Sequence, residues 1–343
     1  MDLDARGHPL HSRALAVTLR QRADGKLDLD GYVLDLRKRG FVPVGADLQG
    51  SGIIHHMCLS GIVEPKALIL ESVSASQPSV AFEASALTRG ESCRDPTERM
   101  KALGGARFDA GFSKQLTATF GGALGCSHLL TLAHLVGSTV PWVLAQDARL
   151  QGTGQTRAPG ERLARRDLII DGLLADDRRL NVALQLTDVH FAPAPAVAPP
   201  MRRFAAELEL RLLLDIDLRS FTLAQISGAQ RWRELADLES ASWQDLQGSV
   251  QPLVGLPMMH GAIPEIRRRF AQAPEQRPLF DALLMIAPAL IQCSAALSEA
   301  WPLQAKDSPS LVGMSGYPDS CYMWRREGAL HRARRPDDPT PRM

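Results

Sequence analysis

The residues best suited to chemistry stand together in Gly125-Cys126-Ser127-His128-Leu129. Ser127 is a residue type that caps helices, so we expect a helix to begin here, with Cys126 before it and His128 in its first turn. The free N–H groups and the dipole of a helix start favour a thiolate, and the neighbouring imidazole can act as a base or a metal ligand. The alternative is a buried structural cysteine beside a histidine that only starts a helix.

Two further elements can bring groups to the same place. His55 and His56 begin a predicted strand, and because side chains alternate between strand faces, at most one of them easily shares a site with Cys126. His55 is our candidate, and which of the two faces the site stays open. Cys321 lies in the C-terminal tail and joins the site only if the tail folds back; otherwise it is an incidental free thiol.

The elements that position these residues form a pattern that recurs along the chain. At a shift of 153 residues, Asp24 and Asp35 face Asp177 and Asp188, and apolar positions between them also match. Later segments match at shifts of 150–154. One offset kept through strand-like and helix-like segments indicates an internal duplication; the alternative is a chance alignment. Because these aspartates recur in a half without the cysteine–histidine motif, the pattern assigns them turn and cap roles.

In each half, strand-like alternation comes first and helix-like periodicity follows. The predicted fold class is therefore α+β, with two tandem, diverged repeats that are each an antiparallel sheet followed by packed helices. The first repeat, 1–150, carries the candidate site, and 151–302 is a degenerate second repeat. A linker rich in Gly, Thr and Pro is predicted at 151–161, and an irregular tail, 303–343, is expected to fold back on the first repeat.

The predicted elements follow this order in both halves. Alternation predicts strands over 14–20, 26–36, 56–63 and 67–74, and again over 167–174, 180–190, 205–216 and 221–227. Helical periodicity predicts helices near 97–104 and 108–116, then over 127–145 and 279–301. The counterparts of the candidate site residues are all apolar, namely Phe280 for Cys126, Ala282 for His128 and Leu208 for His55. We therefore predict one site, in the first half.

Composition excludes several classes of function. The chain of 343 residues has 39 Lys+Arg and 38 Asp+Glu, a net charge of +1, so no nucleic-acid partner is expected. It has no uninterrupted run of 18 apolar residues and no signal-peptide core, so we expect no membrane span and a cytoplasmic location. Five scattered cysteines indicate free thiols.

Four short motifs complete the pattern, namely Arg22-Ala23-Asp24-Gly25 with Gly31 and Asp35, His55-His56-Met57, Gly125-Cys126-Ser127-His128-Leu129 and Asp319-Ser320-Cys321-Tyr322. Together they resemble an uncharacterised bacterial family, domain of unknown function 2889, over about 8–145 and 315–330. Here His56 replaces an acid of the family pattern, Ser127 a threonine and Tyr322 a histidine. The resemblance implies an accessory catabolic protein with small aromatic or acyl substrates.

The order of strands, helices and a Cys/His pair at a helix start is also similar to the iron–sulfur scaffold fold of the NifU type. This is an analogy of fold, and fold does not determine function.

Three functions are open from the sequence. The leading hypothesis is a cofactor-independent enzyme of lyase, decarboxylase or isomerase type, in which Cys126, His128, His55 and Cys321 act on an aromatic or acyl acid by acid–base or thiolate chemistry. An alternative is a metal or iron–sulfur protein that binds zinc or iron through the same residues. A second alternative is a non-catalytic binding protein. A small-molecule substrate is the expected partner, and a homo-oligomer is left open.

Overall fold

The computed structural model of the chain describes residues 4–40, 42–44, 47–150, 156–193, 199–258, 261–297 and 318–332. The strands are β1 (His8–Gln21), β2 (Leu27–Arg37), β3 (Val42–Val44), β4 (Asp47–Gln49), β5 (Gly52–Glu64), β6 (Ile69–Ser79), β7 (Ala106–Arg107), β8 (Arg162–Leu174), β9 (Arg179–Phe191), β10 (Phe204–Asp217), β11 (Thr222–Glu234) and β12 (Gln244–Asp245). Ten of them form one antiparallel sheet, ordered β12-β11-β10-β9-β8-β1-β2-β5-β6-β7, and β3 pairs with β4.

The helices are α1 (Phe112–Phe120), α2 (Ser127–Leu150), α3 (Gln247–Val250), α4 (Ala262–Phe270), α5 (Arg277–Ala296) and α6 (Ala329–Arg332). Alternate residues of β2 are buried, as expected for a strand with one face against the core. Two long apolar helices supply that cover, because α2 contacts β1, β2 and β5 while α5 contacts β1 and β8. The start of α2 is thereby held against the first-half strands.

The fold is α+β, with a large antiparallel sheet and several helices, as the sequence predicts at this level. The sequence predicted a sheet in each half and left open whether the two sheets adjoin; in the structure β1 pairs with β8 and joins the strands of both halves into one sheet. The helix predicted near 97–104 is a 3₁₀ helix, Thr97–Leu103. The last residues of the helix predicted over 279–301 lie outside the described residues, as do 151–155 of the linker.

Strand register in the first half recurs 153 residues later. Leu15 of β1 pairs with Leu168 of β8. Arg13 pairs with Asp35 across β1 and β2, and the residues 153 positions later, Arg166 and Asp188, pair across β8 and β9. The register shift at Ile62/Val63 between β5 and β6 has its counterpart at Asp215/Ile216 between β10 and β11.

The same correspondence extends to unusual turns. Leu68 and Phe221 both have positive φ, 56° and 51°, although neither is glycine. Gly105 has φ of 86° and donates its N–H to Leu70 O at 2.7 Å; Gly255 has φ of 88° and donates to Leu223 O at 2.8 Å. The two halves thus share strand order, register and these backbone conformations.

Residues 318–332, within the predicted tail 303–343, lie against the first half. Tyr322 N donates to Gly125 O at 2.8 Å, directly before α2. A small apolar cluster secures the segment, formed by Cys93, Met323, Trp324 and Leu330 with Phe82 packed against it. The rest of the predicted tail lies outside the described residues, and the predicted domain boundaries stay a prediction.

Two helical segments, Ser127–Leu150 and Pro274–Ala296, are long and apolar enough to cross a membrane by length and composition alone. In this fold both contribute to the core, and 78% of the most apolar window of the second segment is buried. Because core helices of soluble proteins pass the same test, these segments are weak evidence for a membrane span.

Replacing Gly105 or Gly255 by alanine tests the shared turn. A Cβ at either position meets nothing within 4 Å, so the cost is that of a left-handed backbone alone. We expect each variant to lose about 1–2 kcal/mol of unfolding free energy in urea titrations. Gly248→Ala is the matched control, because its Cβ also meets nothing within 4 Å and its φ is not positive. Unchanged stability in both test variants would contradict this account.

Candidate functional site

A buried carboxylate, Asp35, lies at the centre of a polar cluster. Arg13 grips it with two hydrogen bonds, Nε to Oδ1 at 2.8 Å and Nη2 to Oδ2 at 2.9 Å. His11 Nε2 lies 2.8 Å from Oδ1. His11 and Arg13 are two residues apart on β1, so alternation sends both side chains to the same face of the sheet. Asp35 itself is completely buried.

Two histidines approach the other carboxylate oxygen. His55 is the register partner of Asp35 on the neighbouring strand β5, and its Nδ1 lies 3.3 Å from Asp35 Oδ2. His128, in the first turn of α2, places Nε2 3.2 Å from the same oxygen. The two imidazole rings overlap, with centroids 3.8 Å apart and planes tilted by 31°. Sheet pairing and the helix start therefore converge on one oxygen.

Cys126 lies on the far side of His128. Its Sγ is 3.9 Å from His128 Nδ1 and 3.5 Å from the Met57 sulfur. Leu130 N donates to Cys126 O at 2.9 Å, which is the first turn of α2. The two ring nitrogens of His128 thus face different partners, Asp35 on one side and the Cys126 thiol on the other. Carboxylate, imidazole and thiol form a continuous chain of contacts.

Burial largely determines the protonation states of Asp35, His128 and Cys126. Burial alone would raise the pKa of Asp35, but the Arg13 guanidinium and hydrogen bonds from the histidines hold it well below its usual range. Burial lowers the pKa of His128 to about 3 and raises the pKa of Cys126 to about 12. The thiolate expected from the helix start is therefore wrong, because desolvation outweighs the helix dipole. At neutral pH Asp35 is a carboxylate, His128 a neutral imidazole and Cys126 a thiol.

The structure brings three of the four predicted site residues together, namely Cys126, His128 and His55. Of the two neighbouring histidines, His55 faces the cluster, while His56 Nε2 lies 3.5 Å from Cys58 Sγ. Cys321 comes beside the cluster through the backbone, since Tyr322 binds Gly125. Its nearness also contributes, after burial, to the raised pKa of Cys126.

Sequence reasoning missed the centre of the site. It assigned Asp35 to turn or cap work, which is wrong, because Asp35 lies within a strand and is buried. It did not single out His11, Arg13 or Gln292. Gln292 comes from α5 in the second half, and its Nε2 lies 3.2 Å from His128 Nε2. The available signal was the recurrence of Arg13 as Arg166 at the same offset of 153 as the aspartates.

The second half carries the same arginine–aspartate pair with other neighbours. Arg166 binds Asp188 through Nε and Nη2, each at 2.6 Å. Trp142 Nε1 donates to Asp188 at 2.9 Å, and Arg166 Nη1 donates to Asp281 at 2.5 Å. Ala164 and Leu208 occupy the positions of His11 and His55 at the 153 offset. In the first half three histidines contact the aspartate, whereas in the second half His190 lies near the pair and the positions of His11 and His55 are apolar.

Asp35, His55 and His128 offer a possible ligand set, because their candidate ligand atoms all lie within 4.8 Å of one another. One carboxylate and two imidazoles suit zinc or iron(II) by type. His55 Nδ1 is buried and lies 3.3 Å from Asp35 Oδ2 without meeting hydrogen-bond geometry, so it could instead coordinate a metal beside this carboxylate. Against a metal, Arg13 already neutralises and hydrogen-bonds this carboxylate.

Comparison with known families bears on this segment. Residues 11–141 match the family model described as "Protein of unknown function (DUF2889)". The match covers 131 of the 343 residues, less than half of the chain. The DUF2889 match contains His11, Arg13, Asp35, His55 and the Cys126–His128 motif, whereas Gln292 and Cys321 lie outside it. The resemblance to this family inferred from the motifs is confirmed.

No curated protein and no solved structure matches the chain. The similarity to the NifU-type fold is therefore unsupported. The DUF2889 segment ends within α2, so the family match spans the first-half strands and the start of the helix that carries His128.

The histidines predict how stability depends on pH. Burial lowers the pKa of His128 to about 3 and of His134, elsewhere on α2, to about 4. Below the ordinary histidine pKa the unfolded chain binds protons that the folded chain refuses, so unfolding free energy falls as pH drops from about 6.5. Each such group contributes at most about 1.4 kcal/mol per pH unit.

Urea titrations at pH 7, 6 and 5 measure this slope. We expect His128→Gln to make it shallower, and His134→Gln to do so by a separate amount, because His134 contacts Ser113 rather than the cluster. A slope identical in wild type and both variants would contradict the lowered pKa values.

Proposed function

We propose that the cluster around Asp35 is the active site of an enzyme that works by acid–base chemistry without a cofactor. The observation that carries the proposal is the contact chain in which His128 touches Asp35 through Nε2 and Cys126 through Nδ1. A base next to a thiol, oriented by a carboxylate, is the arrangement by which proteins activate cysteine. The site is buried, so its electrostatic interactions are little screened.

The protonation states argue against a standing thiolate, so any transfer of the thiol proton accompanies the reaction with substrate. In the tautomer that carries its proton on Nε2, His128 points this N–H towards Asp35, the Gln292 side-chain amide presents its oxygen to Nε2, and the Nδ1 lone pair faces the Cys126 thiol. Because the thiol pKa is about 12 and the imidazole pKa about 3, the imidazole takes the thiol proton only as the sulfur bonds to the substrate, when Asp35 stabilises the imidazolium that forms. A neutral thiol and a neutral imidazole can also act as an acid and a base on one substrate. We therefore place the reaction among lyases, decarboxylases or isomerases.

The setting of the enzyme is part of the same proposal. The near balance of charge supports a small-molecule substrate and no nucleic-acid partner. The burial of the long apolar helices supports a cytoplasmic enzyme rather than a membrane-spanning one. Homo-oligomerisation stays open.

Alkylation of Cys126 by iodoacetamide, followed by peptide mass spectrometry, tests the thiol–imidazole pair. Because the Cys126 pKa is about 12, the rate should keep rising with pH up to about pH 10 rather than level off near the ordinary thiol pKa. His128→Asn, which removes the base, should slow alkylation at neutral pH by at least about tenfold.

Cys293 is the matched control thiol. Burial raises its pKa to about 12 as well, and its side chain packs against Gly172 of β8. Its alkylation should be the same in wild type and in His128→Asn. Equal slowing of the alkylation of both cysteines would indicate a general structural effect of the substitution. An unchanged rate of Cys126 alkylation would show that His128 does not act as its base.

A metal-binding protein is the second candidate, favoured by the unpartnered His55 Nδ1 beside Asp35. Elemental analysis of purified protein separates the two functions. Because Arg13 already neutralises Asp35, we expect no stoichiometric metal and no effect of a chelator on Cys126 alkylation. Zinc or iron at about one per chain, lost in His55→Ala but kept in Cys126→Ser, would favour the metal-binding function instead.

We also propose that the chain consists of two tandem, diverged repeats, 1–150 and 151–302. Supporting this are the strand registers that recur at 153 residues, the matching register shifts, and the positive φ of both Leu68 and Phe221. A similar cost of alanine at Gly105 and Gly255 is what this proposal expects. In the second repeat, loss of the histidines leaves a structural role for the remaining arginine–aspartate pair.

A further inference from the structure

One side-chain nitrogen of Arg13 takes no part in binding Asp35. Arg13 uses Nε and Nη2 on Asp35, but its Nη1 is buried and has no hydrogen-bond partner among the residues that the structure describes. The residue is 1% exposed. A buried guanidinium N–H without an acceptor is costly, because the group has lost water and gained nothing in return. A hydrogen-bond acceptor beside Nη1 would therefore stabilise the site.

The second half shows what such an acceptor looks like. Arg166 makes the same two bonds to Asp188, and its Nη1 donates to a second carboxylate, Asp281 Oδ2, at 2.5 Å. Nη1 also lies 3.3 Å from Thr139 Oγ1. Each half thus contains a buried arginine with one aspartate on Nε and Nη2. Among the residues that the structure describes, a carboxylate meets Nη1 in the second half and none does in the first.

The first half has a hydroxyl at the corresponding place. The offset of 154 that aligns α2 with α5 pairs Asp281 with Ser127 and Thr139 with Cys293. This offset agrees with the contacts. Thr139 touches Arg166, and Arg13 acts electrostatically on Cys293. Ser127 is therefore the first-half position that corresponds to Asp281, and it carries a hydroxyl in place of a carboxylate.

The helix start offers a second attraction for an anion. The Arg13–Asp35 pair is already neutral, so the argument for a further carboxylate rests on the unpartnered Nη1 and not on net charge. A carboxylate bound there would lie at the N-terminus of the 24-residue helix α2, where the helix dipole favours an anion. Cys126 and His128 begin the same helix.

We infer that the substrate of this site bears a carboxylate, which Arg13 Nη1 binds beside Ser127. The inference rests on the proposed function and assigns its substrate class. It makes Arg13 a binding residue as well as the partner of Asp35. It also places the rest of the substrate next to the thiol and imidazole of Cys126 and His128.

Calorimetry with acetate and benzoate, as small carboxylate probes, tests the inference. Benzamide is the neutral control of the same shape, and inorganic phosphate is the control for general anion binding. We expect both carboxylates to bind wild-type protein at millimolar concentrations and to slow Cys126 alkylation, whereas benzamide and phosphate do neither. Binding of neither carboxylate, or equal binding of phosphate, would overturn the assignment.

Two variants locate the binding. Ser127→Asp supplies the missing carboxylate from the protein and should weaken benzoate binding by at least about tenfold, the value of a charge-assisted hydrogen bond. Ser127→Asn has the same shape without the charge and should weaken benzoate binding less than Ser127→Asp does, because its amide oxygen is a neutral acceptor for Nη1. Benzoate binding unchanged in Ser127→Asp would place the carboxylate elsewhere and overturn the role of Arg13.

The outcomes also separate this inference from the proposed function. Calorimetry does not depend on the reactivity of Cys126. Benzoate binding that Ser127→Asp abolishes, together with Cys126 alkylation that His128→Asn leaves unchanged, would keep the carboxylate site and remove the acid–base pair. If His128→Asn slows Cys126 alkylation but no carboxylate binds, the acid–base site is supported and the carboxylate substrate class is contradicted.

Discussion

The buried ion pair between Arg13 and Asp35 is the constraint on which the site depends. Two charges taken out of water are tolerated only when they are well paired, and removing one partner of such a pair typically costs about 3–5 kcal/mol. The pair also joins opposite residues of β1 and β2. A register slip of one residue would turn Asp35 to the other face of the sheet and leave Arg13 unpaired. The same interaction therefore fixes the strands and presents one carboxylate to the histidines.

Much of the fold could be predicted from the sequence because it is written in local patterns. Alternation in 26–36 and the apolar run of 279–301 indicated β2 and α5 closely. The joining of both halves into one sheet could not be predicted in the same way. Pairing of β1 with β8 depends on two strands about 150 residues apart presenting compatible edges, and neither strand carries a local signal of its partner.

The site residues that belong to uncommon types could be predicted from the sequence, whereas those that belong to common types could not. A Cys-x-His motif and a histidine at a strand start pointed to Cys126, His128 and His55. Asp35 was not predicted as a site residue because its recurrence in the sequence favoured a turn or cap role. Its burial is tolerated only because Arg13, on a different strand, pairs with it. The direction of the thiol pKa was also wrong from sequence, because the helix dipole is a local property whereas burial is a property of the whole fold.

The central pairing of Leu15 with Leu168 bears on why a half without the cysteine–histidine motif accompanies one that has it. β1 has 14 residues, and without β8 it would end the sheet with a long row of free N–H and C=O groups. Long open edges of this kind recruit strands from other molecules and lead to aggregation. In this chain β8 covers the edge of the strand that carries His11 and Arg13, so the second half keeps that edge from pairing with other molecules.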